Sequence, residues 1–140
     1  MRKSKARAAA LKHGYRSGLE KDCSSYLRKK KVKFEYELHK IAWVDNNDRT
    51  YTPDFVLENG IIVETKGRFV TSDRQKHKKI KKQYGDRYDI RFLFSNPNAK
   101  LSKVSSTTYA KWCTTNGFLW AKGPEVPQEW LDEPNKESGF

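Results

Sequence analysis

The sequence predicts an α/β (α+β) domain, with a mixed central β-sheet flanked by helices. Segments with helical spacing alternate with segments of period two, and turn residues separate them. The chain has 140 residues of which 36% are hydrophobic, enough for one modest core and not for two. Helix, strands, helix, strand, helix is therefore the expected order. It divides as a basic arm over 1–15, a folded domain over 16–122, and a proline-containing tail over 123–140.

Residues 1–15 are basic and lack hydrophobic periodicity, so they are read as an arm. "SGLE" at Ser17–Glu20 matches a capping box, and Leu19, Cys23, Tyr26 and Leu27 behind it share one helical face. A helix is expected over 18–30, with Arg28 to Lys31 complementing its dipole. "VKFEYELHKIAWV" then alternates, with Val32, Phe34, Tyr36 and Leu38 opposite Lys33, Glu35 and Glu37. This predicts one long strand over about 32–44, bulged near His39 and Lys40. "DNNDR" is a turn cluster. "YTPDFVLENGIIVETKG" follows as two short strands. Ser72 and Asp73 open a nearly all-polar surface helix, with Ile80 and Tyr84 on one face and Gly85 at its end. "YDIRFLF" is a strand stopped by "SNPN". "STTYAKWCTTNG" is a short capped helix, and "FLWA" a last strand. The tail is expected to pack only through Trp130 and Leu131. The four tryptophans are read as core rather than as stacking platforms.

Charge narrows the function classes. Lys and Arg number 29 against 17 Asp and Glu, a formal net charge of +12. That favours a polyanionic partner. No apolar run approaches the ~20 residues of a membrane span, and Ala8–Leu11 is too short for a signal-peptide core. Cys23 and Cys113 lack zinc-site spacing, as do His13, His39 and His77, and a reducing cytoplasm suits two unpaired thiols.

The segment Tyr51–Gly67 carries the chemistry. It sets Asp54, Glu64 and Lys66 among Phe55, Val56, Ile61, Ile62 and Val63. A two-residue Asn59-Gly60 turn would turn Asp54 away from Glu64. A three-residue loop, Glu58-Asn59-Gly60, with Gly60 left-handed, pairs Leu57 with Ile61 and Asp54 with Glu64. Asp54, Glu64 and Lys66 then share one face. Directly opposed Cβ atoms sit about 4.5–5.5 Å apart, so the two carboxylates repel. A hard cation such as Mg²⁺ relieves that repulsion, and Lys66 could orient or deprotonate an attacking water. A buried Asp–Lys–Glu salt-bridge cluster is the competing reading. Val56 and Ile62 on the same face weaken it, because that face is not simply solvated.

Pro53-Asp54, then Glu64-Thr65-Lys66, resembles the PD-(D/E)xK nuclease signature. "RSGLE", "KFEYE", "YTPDF", "NGI", "VETKG" and "DIR" stand in the order and spacing of the phage endonuclease I family, the junction-resolving enzymes of T-odd coliphages. The resemblance covers roughly residues 14–131. It implies a restriction-endonuclease-like nuclease fold in an intertwined, domain-swapped homodimer, with the strand near 32–44 as the bridge. It implies metal-dependent cleavage of four-way (Holliday) junctions and other branched DNA in the cytoplasm of the infected host cell. Asp54, Glu64 and the Thr65 carbonyl would hold one Mg²⁺ or Mn²⁺, and Glu20 with Asp54 a second. Lys66 would serve the nucleophilic water, and Glu20 would come from the partner chain. From the residues alone, Glu20 is the capping-box glutamate, a role that competes with metal binding for one carboxylate. A general nuclease on duplex DNA and a non-catalytic basic DNA-binding protein are the alternatives.

Cations for phosphate contact concentrate in two places: Arg2, Lys3, Lys5, Arg7, Lys12 and Arg16 near the N-terminus, and Arg74, Lys76, His77, Lys78 and Lys79 on the polar helix. Phosphate contacts position DNA without reading bases, which suits recognition of a branched shape. The chain ends "NKESGF" where the family carries a strongly basic extension, so DNA contact is expected from the arm instead.

Overall fold

The structure, a computed structural model, describes residues 17–137, 139 and 140. The expected arm, with Arg2, Lys3, Lys5, Arg7 and Lys12, lies outside the described residues, as does Arg16. A five-stranded mixed sheet forms the centre, in the order β1-β4-β5-β6-β7. Its strands are β1 Phe34–Tyr36, β4 Phe55–Leu57, β5 Ile62–Lys66, β6 Ile90–Phe94 and β7 Trp120–Lys122. β1, β4 and β5 are antiparallel neighbours, whereas β5, β6 and β7 run parallel. Helices α1 Gly18–Lys29 and α4 Gln128–Leu131 cover one face, burying Cys23, Leu27 and Trp130 against Phe55, Val63 and Leu93. Helices α2 Thr71–Tyr84 and α3 Tyr109–Thr115 cover the other, with Ile80, Trp112 and Cys113 against Val56, Ile62, Phe92 and Phe94. With both faces covered, every residue of β6 is buried.

α1 starts where its cap predicts, the Ser17 hydroxyl accepting the Glu20 N–H at 3.1 Å. α2 stops at Gly85, whose φ of +58° suits a residue without Cβ. The β4–β5 loop has the odd parity that aligns the carboxylates. Phe55 pairs with Val63 and Val56 with Ile62. The Leu57 N–H donates to the Ile61 carbonyl at 2.9 Å, and Gly60 turns the loop at φ +92°.

Several expectations are corrected. The single long strand over 32–44 is two strands in two sheets. At Glu37 the backbone turns left-handed (φ +47°) and its N–H donates to the Asp54 carbonyl at 2.9 Å. That turn breaks the alternation, leaving Leu38 63% exposed. The chain resumes as β2 Ile41–Asp45, which pairs with β3 Asn47–Tyr51 in a separate hairpin. The turn cluster shrinks accordingly to the tip at Asn46 (φ +56°), because asparagine tolerates that conformation. β3 carries four exposed residues before Tyr51, so it shows no apolar alternation and is held by its pairing.

The polar helix α2 buries His77 completely beside Ile80. The tail, too, packs through more than Trp130 and Leu131. Val126 is fully buried, the Asn59 side chain donates to the Trp130 carbonyl at 2.8 Å, and the Lys136 N–H donates to the Asn59 carbonyl at 2.9 Å. Arg91, buried in β6 over the Trp130 ring, pairs with Asp89 and with Glu133 of the tail. Trp43, Trp112 and Trp130 are core residues as expected, while Trp120 on the edge strand β7 is 37% exposed.

Candidate active site

Asp54, Glu64 and Lys66 meet because the odd-parity loop puts them on the α2 face of the sheet. They line a polar cavity of about 520 Å³ with Ser17, Glu20, Tyr51, Thr65 and Lys76. Each carboxylate is gripped on one oxygen. Asp54 Oδ2 accepts the N–H and the hydroxyl of Thr65, both at 2.9 Å. Glu64 Oε1 accepts the Asp54 N–H and the Tyr51 hydroxyl, both at 3.0 Å. The adjacent strands thus hold each other's carboxylates through backbone donors. Lys66 Nζ lies 3.9 Å from Glu64 Oε2 and 3.3 Å from Asp73 at the start of α2.

Burial dominates the electrostatics. Asp54 and Glu64 are 9% and 3% exposed. Desolvation, then the neighbouring charges of Glu64 and Glu20, push the Asp54 carboxyl well above the usual range, and the Thr65 hydrogen bonds oppose this. Burial also raises Glu64, against Lys66, the Asp54 N–H, Lys76 and Tyr51. Burial disfavours the charge on Lys66, yet Glu64, Asp73 and Asp54 outweigh it and hold the ammonium charged above its ordinary range.

Glu20 reaches this cavity from the first turn of α1 in the same chain. Ser17 supplies its half of the capping box, while the Glu20 carboxylate accepts the Tyr36 hydroxyl. Glu37, which alternation assigned to the outer face of a strand, is the residue sequence reasoning missed. The left-handed turn brings it inward, so that Glu20, Glu37 and Asp54 each offer an oxygen within 4.8 Å of the others. Periodicity carried no signal for this. Its only trace was that Glu37 falls inside the "KFEYE" motif. A set of three carboxylates, offering oxygen ligands alone, fits a hard divalent cation. Glu64 stands beside this trio with Oε2 turned to Lys66 and His77.

The expected DNA-contacting cations of α2 do not behave alike. Lys78 is exposed, and Lys76 lines the cavity over the Tyr51 ring at 5.2 Å. Lys79 is paired with Asp45 at 2.7 Å, and Arg74 donates to the Phe69 carbonyl and to Thr71. His77 cannot touch DNA. It is fully buried among Tyr51, Phe92 and Phe118, and burial followed by the charges of Lys76 and Lys66 keeps the ring neutral.

The sequence matches the phage endonuclease I family profile over residues 1–140. It is 46% identical over 127 residues to Endonuclease I of Escherichia phage T7, covering 90% of this chain and 84% of that protein. It is 45% identical over 127 residues to Endodeoxyribonuclease 1 of Enterobacteria phage T3, covering 90% and 82%. With a full-length match and paired buried carboxylates beside a lysine in a polar cavity, the chain belongs to the phage endonuclease I family.

Proposed function

We propose that this protein is a divalent-metal-dependent endonuclease that resolves four-way junctions and other branched DNA as a homodimer in the infected host's cytoplasm. The observation that carries the reading is the register. Asp54 opposes Glu64, with Lys66 two residues on, next to Glu20 in one polar cavity.

Asp54, Glu64 and the Thr65 carbonyl would hold one Mg²⁺ or Mn²⁺, and Glu20 and Asp54, joined by Glu37, would hold a second. Bound there, the metal supplies positive charge against the phosphate and a water of lowered pKa. The chain does the rest. Thr65 and Tyr51 fix which carboxylate oxygens are free. Lys66, held charged by its acidic neighbours, orients the attacking water and stabilises the charge growing on the phosphate, rather than acting as the base. Lys76 contacts phosphates at the cavity, and Lys78 contacts them further along α2, on the exposed side it shares with Lys81 and Lys82.

Resolution needs two cuts, which two sites in one dimer provide. The irregular segment between β1 and β2 is a suitable hinge, since a closed chain and an exchanged dimer make the same contacts and differ only in the hinge path. Mixing Glu20→Ala with Asp54→Ala protein under subunit exchange separates them. Exchange restores one complete site per heterodimer, whereas sites built within one chain restore none.

The deciding experiment compares a labelled four-way junction with a matched linear duplex, in Mg²⁺ and in chelator. Metal-dependent paired nicks near the branch point are expected. Equal cutting of both substrates would make it a general duplex nuclease, and binding without cutting would refute catalysis.

A further inference from the structure

His77 stands out among the buried groups. Among the described residues, three buried side-chain nitrogens lack a hydrogen-bond partner, and two of them are in this ring. Buried polar atoms are nearly always satisfied, and an orphaned pair in a fully buried ring is destabilising. A phenylalanine would fill the same aromatic niche without that penalty. The ring packs edge-on against Tyr51 and Phe92, each with centroids 4.9 Å away. These contacts aim Nε2 at Glu64 Oε2, 3.9 Å distant. That oxygen is the one Tyr51 and Asp54 leave alone, since both donate to Oε1.

We infer that His77 is a positioning residue for the metal centre: its Nε2–H donates to Glu64 Oε2 and fixes the carboxylate's rotation when a divalent cation is bound. Closing the gap takes a movement of about 1 Å, and such contacts commonly tighten only in the loaded site. The carboxylate then has donors on both oxygens, Tyr51 and Asp54 on one and His77 on the other. Outer partners of this kind orient metal ligands and govern affinity. The inference rests on the metal-dependent reading above.

The test is calorimetric titration of the full chain with Mg²⁺, comparing wild type with His77→Phe and His77→Gln. The Phe variant keeps the packing and loses the donor, whereas Gln carries an N–H near the place of Nε2. The Phe variant is expected to weaken Mg²⁺ binding by roughly 10–100-fold, with junction affinity in chelator unchanged. The Gln variant is expected to recover most of the loss. A Phe variant that binds Mg²⁺ as wild type does would make His77 a packing residue and overturn the inference. Should either variant unfold, nitrogen-15 NMR of the wild-type ring decides. An Nε2–H tautomer whose resonances move on adding Mg²⁺ supports the role, and an Nδ1–H tautomer or unmoved resonances reject it. Wild-type protein that binds no Mg²⁺ would sink the metal-dependent reading itself, an outcome distinct from a silent His77.

Discussion

At the scale of single residues, the site trades stability for chemistry. Asp54 and Glu64 are buried side by side, so without a cation burial disfavours both charges and those of Glu64 and Glu20 further disfavour that of Asp54. Asp54→Asn keeps an oxygen for Thr65 and removes a charge. In metal-free buffer it should raise stability by about 1 kcal/mol, read as roughly 3–5 °C in Tm. The same change should abolish the rise in Tm that Mg²⁺ gives wild type. A lower Tm in chelator would show that the pair is not strained. Lys66 poses the opposite case, because its charge is what Glu64, Asp73 and Asp54 stabilise. Lys66→Ala should lose about 10²–10³-fold in single-turnover cleavage, with junction Kd unchanged. Near-wild-type cleavage would remove Lys66 from the mechanism.

At the scale of elements, the β4–β5 loop decides whether a site exists. Its three residues set the parity that puts Asp54 across from Glu64, and a two-residue turn would send Asp54 to the other face. Gly60 is needed there twice over. Its φ is +92°, and an added Cβ would meet Lys136 Cγ at 2.8 Å and the Lys136 carbonyl at 3.0 Å. Gly60→Ala should therefore destabilise by about 1–3 kcal/mol in urea unfolding. An unchanged midpoint would mean that the loop and tail relax freely. The tail itself is bound to β6 by charge. Asp89 and Glu133 both have carboxyls held below their ordinary range. For Asp89, burial opposes the shift and hydrogen bonds from Arg91 and Lys136 outweigh it; for Glu133 the Arg91 hydrogen bond leads. Lowered carboxyls stabilise the fold fully above the ordinary carboxylate range, and that stability is lost as pH falls through the lowered values. Unfolding followed from about pH 6 down to about pH 3, across that range, should show the loss, and Glu133→Gln should flatten it. An equally steep acid limb in the variant would place the acid sensitivity elsewhere.

At the scale of the molecule, the net charge of +12 predicts that phosphate contact supplies most of the DNA affinity. Log Kd should rise linearly with log salt, and Lys78→Ala should lower the slope by about 1 unit. A slope near zero, or one that Lys78→Ala leaves unchanged, would move the DNA path off α2. His77 belongs to no such path, and Lys79 must first leave Asp45 to join one.

Much of this architecture was legible from local pattern. The cap at Ser17, the stop at Gly85, the odd-parity loop and the strand through Phe92 follow from short-range sterics and side-chain spacing, which the sequence carries directly. So do Asp54, Glu64 and Lys66 as one group, since strand parity fixes faces once the loop length is known. The rest depended on contacts distant in the chain. Glu37 enters the cavity through a left-handed turn stabilised by the Asp54 carbonyl, which no alternation rule foresees. β3 is a strand only by virtue of β2. His77 looks like one more cation on a polar helix until Tyr51, Phe92 and Phe118 close over it. The tail docks because Arg91, buried in β6, needs the carboxylates of Asp89 and Glu133. By itself the sequence determined which residues could do the chemistry. Tertiary structure decided which polar groups are desolvated, and with that which carboxylates and which histidine are joined to the site.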